Sequence, residues 1–102
     1  MARTAILYAR SNRRENLDQQ VRELEDWCER AGVIPISTIA EVALGIQASR
    51  RCKQALADAA AGLADLVLIR DVSRLSEDTT QLEQIISEHR PRLAISRDNR
   101  HH

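Results

Sequence analysis

The chain has 102 residues, 43% of them hydrophobic and 29% charged, with 3 Gly and 2 Pro. This is a globular composition of single-domain length, which excludes collagen-like, low-complexity and largely disordered chains. Its 15 basic and 15 acidic side chains cancel to a formal net charge of +0, whereas free-standing nucleic-acid binders draw much of their affinity from excess positive charge.

The first segment, Thr4 to Arg10 (TAILYAR), is a short apolar run of the kind that forms a buried strand. Polar residues Arg13 to Glu15 break it, and Asn16 is placed to cap the helix that follows. In that helix Leu17, Val21, Leu24, Trp27 or Cys28, and Ala31 recur at three- and four-residue spacing, and Gly32 ends it. Val33 to Ile39 is β-branched and strand-like, and Pro35, which lacks a ladder donor, predicts a strand at a sheet edge or one that starts late. Glu41 to Ser49 is irregular around Gly45. Arg50 to Ala61 is a helix by propensity, closed by Gly62. Leu66 to Ile69 is apolar without alternation, as in parallel strands covered on both faces. A helix from about Asp78 to Arg90 is stopped by Pro91, and Arg92 to Ser96 forms a last short strand.

The order β-α-β-α-β-α-β predicts an α/β three-layer sandwich with a mostly parallel sheet. No uncharged run approaches the ~20 apolar residues of a membrane helix. The opening MARTAILYAR has too short an apolar run for a secretory signal. A cytoplasmic setting with no membrane partner is therefore expected. Cys28 and Cys52 form no CxxC pair and have no His at zinc spacing, so buried free thiols are expected rather than a disulfide or a metal site.

Ligands and chemistry in such sheets sit beyond the carboxyl ends of the strands. Three loops qualify. The first carries Arg10, Ser11, Arg13 and Arg14; the second closes on Ser49, Arg50 and Arg51; the third carries Arg70, Asp71, Ser73, Arg74 and Ser76. Guanidiniums bind phosphate in a fork and stay charged, so Arg around Ser suits phosphoryl chemistry. The same residues also serve as ordinary solvated loop positions. No carboxylate cluster or Gly-rich phosphate loop supports two-metal or nucleotide chemistry, and neither metal nor cofactor is expected.

The run YARS at Tyr8–Ser11, then ENLDQQ at Glu15–Gln20, the Gly45–Arg50 segment, and DLVLIR leading into VSRL together resemble the catalytic domain of the serine recombinases, the resolvase/invertase family, over roughly residues 3 to 96. The resemblance implies a resolvase-like fold over residues 1–98; residues 99–102, which end in Arg100, His101 and His102, read as a tail or tag remnant. The resemblance also implies DNA as substrate, a serine nucleophile that forms a phosphoserine–DNA intermediate, no metal or nucleotide, and a homo-oligomer in the full-length context. Tyr8, Ala9 and Arg10 match the family's Tyr-Ala-Arg-x-Ser. The segment up to Leu17 is one residue shorter than the family's form, which leaves two placements. Either Ser11 is the nucleophile, with Gln20 on the family's helix glutamine, or Asn12 holds that position and no intermediate forms. The first is favoured, on the condition that the strand has ended by Arg10, because successive strand residues face opposite ways. Arg50 matches the arginine after the Gly-containing loop, with Arg51 as its neighbour in reserve.

The family's Leu-Asp-Arg-Leu-x-Arg reads Val72-Ser73-Arg74-Leu75-Ser76-Glu77 here. Arg74 is kept, Ser73 replaces the acid, and Glu77 reverses the charge at the second arginine. The expected site is thus catalytic Ser11, Arg10, Arg50 and Arg74, with Tyr8, Gln20 and Ser73 as binding residues. Glu77, the short first loop and the neutral charge favour a second reading, a catalytically silent interaction or regulatory module. A third, a flavodoxin-like signalling domain, would want acids where this chain has arginines.

Overall fold

The structure is a computed structural model that describes residues 2–97; the tail expected at 99–102 lies outside the described residues. Four strands and three helices alternate along the chain: β1 (Thr4–Ser11), α1 (Leu17–Ala31), β2 (Ile34–Val42), α2 (Arg50–Ala60), β3 (Leu66–Ile69), α3 (Thr79–His89) and β4 (Leu93–Ile95). All strand pairs are parallel, in the order β2-β1-β3-β4. The expected α/β class is met.

The alternation of β1 builds two cores. Ala5, Leu7 and Ala9 pack with Leu66 and Leu68 under Leu17, Leu24 and Cys28 of α1, with Trp27 partly buried beside them. Tyr8 faces the other way, with Val67, Ile69 and Leu75, against Cys52 and Leu56 of α2 and the half-covered Leu82 and Ile85 of α3. Helix α1 thus forms one outer layer, and α2 with α3 the other.

Two local readings change. Asn16 does not cap α1: its side chain accepts no capping bond and its backbone is already helical, because a 3₁₀ turn over Arg14–Asn16 runs straight into the helix. Strand β2 continues past Ile39 to Val42, since Ala40, Glu41 and Val42 pair with Ala9, Arg10 and Ser11. Cross-strand pairing there outweighs the polar signal of Glu41, whose carboxylate accepts from the Tyr8 hydroxyl at 2.5 Å and from Ser49. Pro35 stands as expected, in an edge strand, and the register shifts just after it, between Ala5 and Ile6 of β1.

Cys28 and Cys52 are free and buried in separate cores. Burial pushes the Cys52 thiol up to about 11 and raises Cys28 as well. Both are expected to react with a thiol reagent only as fast as the protein unfolds. Intact mass after purification without oxidant checks the pairing, and the loss of two hydrogens would refute it.

Candidate active site at the carboxyl ends of β1 and β3

In this sheet β1 leads to β2 on one side, while β3 and β4 lie on the other. The direction of winding therefore reverses between β1 and β3, and a crevice opens where their following loops part. An open cleft of about 320 Å³ lies there, lined by Arg10, Ser11 and Asn12 from the end of β1, Ala43 to Ile46 from the loop after β2, and Ser73, Arg74 and Glu77 from the segment after β3.

Arg10 is 4% exposed. Its Nη1 donates to the Leu75 carbonyl at 3.3 Å and its Nη2 to the Gly45 carbonyl at 2.5 Å. No carboxylate is within ion-pair distance of it among the described residues. A buried charge is costly unless compensated, and here two carbonyls supply the compensation while the positive charge stays at the cleft wall. The backbone of Arg10 is clamped as well. Gln20, fully buried on α1, accepts from the Arg10 N–H and donates to its carbonyl, both at 3.1 Å.

The β1 ladder runs through Ser11, one residue beyond the condition set by alternation. Ser11 still lines the cleft, because it is the last paired residue and the chain turns over it: its Oγ accepts the Arg13 N–H at 3.0 Å. Asn12 lines the cleft too and is exposed.

After β3 a 3₁₀ turn over Val72–Arg74 points Arg74 back at β1, where its Nη1 donates to the Arg10 carbonyl at 3.1 Å. The Arg74 Nε lies 3.4 Å from an Asp71 carboxylate oxygen, and Ser73 Oγ donates to the other oxygen of the same group. Glu77 also lines the cleft, its N–H donating to the Ile46 carbonyl at 2.7 Å.

Ser11, Arg10, Arg74 and Ser73 therefore converge. The other expected residues do not line the cleft. Arg50 is exposed as the first residue of α2, and Arg51 beside it is exposed too. Tyr8 is buried, its hydroxyl within reach of Glu41 and Ser49, and burial followed by the Glu41 carboxylate raises its pKa far above the ordinary tyrosine range. Gln20 acts through the backbone of Arg10. Ser76, read above as a rim hydroxyl, is fully buried and works as a strut: its Oγ lies 3.0 Å from the Ile46 carbonyl and 2.8 Å from Gln81 Oε1. Gln81 in turn accepts the Ala48 N–H at 2.8 Å, which ties the loop after β2 to α3. Two roles escaped the sequence reading, that of Asp71, named there only as a loop residue, and that of Gln81. The i, i+3 spacing of Asp71 and Arg74 was the available signal for the first; nothing in the sequence marked the second. No group of three or more His, Cys, Asp or Glu able to hold a metal occurs among the described residues.

The comparisons with known proteins bear on the family and on the fold. The family model described as the resolvase N-terminal domain matches residues 5–93. The chain belongs to the resolvase family. Among solved structures, it is similar to the C-terminal catalytic domain of ISC1926 TnpA, an IS607-like serine recombinase, at 20% identity and a TM-score of 0.75, covering 93% of this chain and 70% of that one. It is also similar to the C-terminal catalytic domain of IS1535 TnpA, another IS607-like serine recombinase, at 24% identity and a TM-score of 0.69, covering 93% and 72%. At these identities the likeness bears on the fold. A search of curated protein sequences found no match. Among the described residues no helix is long and apolar enough to cross a membrane.

Proposed function

We propose that the chain is a serine-recombinase catalytic domain whose Ser11 attacks a DNA phosphodiester. The observation that carries this is the buried guanidinium of Arg10, without a carboxylate partner among the described residues, in the same cleft as the Ser11 hydroxyl. In the forward step the Ser11 Oγ–P bond forms, the P–O bond to the leaving deoxyribose breaks, and the Ser11 proton is lost while the leaving oxygen gains one. The reverse step, with a new deoxyribose hydroxyl as nucleophile, rejoins the strand and restores Ser11. Arg10 and Arg74 would hold the non-bridging oxygens, where charge accumulates in the transition state. Arg50, exposed at the start of α2, would reach the substrate only from outside the cleft. An Asn12 amide is no nucleophile, which favours Ser11 over its neighbour.

The reading includes a cytoplasmic setting and a homo-oligomeric assembly. The isolated chain, at a formal charge of +0, is expected to bind duplex DNA only at a Kd of roughly 10⁻⁴ to 10⁻⁶ M at physiological salt. Fluorescence anisotropy with two unrelated duplexes checks this, and nanomolar, sequence-selective binding would contradict it. A second reading rests on Glu77 in the cleft wall: a silent homologue that acts as an interaction or regulatory module. The test between the two is capture of a covalent adduct on a nicked suicide duplex, with the linked residue mapped by mass spectrometry. Linkage to Ser11 supports the enzyme, linkage elsewhere removes Ser11 as the nucleophile, and no adduct even after Glu77 is replaced by Arg supports the silent module.

A further inference from the structure

We propose that Asp71 is the positioning residue of this cleft: its carboxylate fixes the Arg74 guanidinium so that the Nη edge is aimed at the end of β1. Ser73 and Arg74 both line the cleft, and Asp71 does not. One Asp71 oxygen accepts the Ser73 hydroxyl and the other lies 3.4 Å from Arg74 Nε. Arg74 Nε is buried and has no hydrogen-bond partner among the described residues, so the Asp71 charge is the compensation it receives on that side. On its other side, Arg74 Nη1 donates to the Arg10 carbonyl at 3.1 Å. The guanidinium is therefore held at two edges, by a charge behind and a carbonyl ahead. A planar group fixed at two edges has one orientation open to it, and in that orientation Arg74 lines the cleft.

The backbone makes this arrangement inexpensive. Asp71 is extended, and the 3₁₀ turn over Val72–Arg74 begins immediately after it, closing with the Arg74 N–H on the Asp71 carbonyl at 3.1 Å. A side chain at the entrance of such a turn reaches the one three residues on. Asp71 thus supplies locally an acid that position 73, a serine, cannot. It touches no reacting atom and acts only through Arg74. This assignment rests on the DNA-cleaving reading for its catalytic consequence, but its geometric content is measurable without it.

The first measurement uses the 102-residue chain. In a ¹⁵N spectrum of arginine Nε–Hε groups, the Arg74 signal is identified by its loss in Arg74→Lys. Its Hε is expected to exchange slowly with solvent in the native protein and in Asp71→Glu, and at least ~10-fold faster in Asp71→Asn, which keeps the shape and the bond to Ser73 but removes the charge that holds the group in place. Arg74 exchange in Asp71→Asn within about twofold of native, with the amide spectrum intact, overturns the proposal. The second measurement is adduct formation on the suicide duplex in the Glu77→Arg background. Asp71→Asn is expected to slow it by about 10-fold to 10²-fold, and Asp71→Glu to restore most of it. Unchanged adduct in Asp71→Asn also overturns the proposal. If Glu77→Arg itself yields no adduct, the DNA-cleaving reading fails, and the exchange measurement alone decides the role of Asp71.

Discussion

Replacing Glu77 with Arg is expected to increase covalent DNA adduct by at least about 10²-fold over the native sequence, and adding Ser11→Ala is expected to abolish it. Glu77 stands in the cleft wall with Arg10, Ser11 and Arg74. A phosphodiester bound there brings negative charge to it. Two unit charges at 4 Å interact by about 4 kcal/mol at an effective dielectric near 20, and solvent at this exposed residue reduces that figure. Loss of one preorganised positive group at a transition-state charge costs about 10²–10³ in rate. An acid in its place adds repulsion to the loss. Ser73 matters less, since its hydroxyl still bonds to Asp71. The measurement is adduct yield on a nicked suicide duplex, with the chain fused to a dimerisation helix and a DNA-binding domain so that substrate delivery does not limit the result. Robust adduct from the native sequence would defeat the claim that Glu77 holds the site back. Adduct that survives Ser11→Ala would remove Ser11 as nucleophile and return the question to its neighbours at the turn.

The largest effect on stability is expected from Leu24→Ala. Leu24 is fully buried in the centre of α1, against Leu7 and Leu68 in the same core. Among the described residues α1 is the one helix whose buried side chains join that core, so no second helix can shift to fill the void. A Leu→Ala change in a core that cannot collapse costs about 2–5 kcal/mol. For a domain of this size each kcal/mol lowers Tm by about 4–8 °C. Thermal and urea unfolding should show a fall in Tm of about 10 °C or more and a lower midpoint at unchanged m. Leu82→Ala on α3 is the comparison. No residue of α3 is buried, and the loss there should be less than half as large. Equal losses at the two positions would mean that the two faces of the sheet are closed equally well.

The site itself was only partly legible. Arg10, Ser11, Ser73 and Arg74 could be placed together because each follows a strand whose carboxyl end the topology brings to one rim. Arg50 was expected in the site with them but does not line the cleft, because a position at a helix start does not say which way the side chain leaves. Tyr8 and Gln20 matched a family pattern, yet their parts are packing and a backbone clamp, which depend on partners Glu41 and Arg10 distant from them in sequence. Ser76 read as a rim hydroxyl and proved to be a buried strut, since its partners Ile46 and Gln81 are assembled only by the fold.

What the sequence alone determined was the kind and order of the elements. The periodicity of Leu17, Leu24 and Cys28, the unbroken run Leu66 to Ile69, and the edge placement of Pro35 are local consequences of hydrophobic spacing and backbone chemistry, and they required no knowledge of neighbours. The tertiary structure decided where elements end and what each polar side chain does. Strand β2 runs on to Val42 because β1 offers it a partner that far. Asn16 loses its capping role to a turn that enters the helix already wound. Arg74 is aimed by a carboxylate behind it and a carbonyl from a strand distant in sequence. Hydrophobic pattern is written along the chain and survives without partners, whereas the direction of a polar group is set by whichever donor or acceptor the folded chain brings within about 3 Å of it.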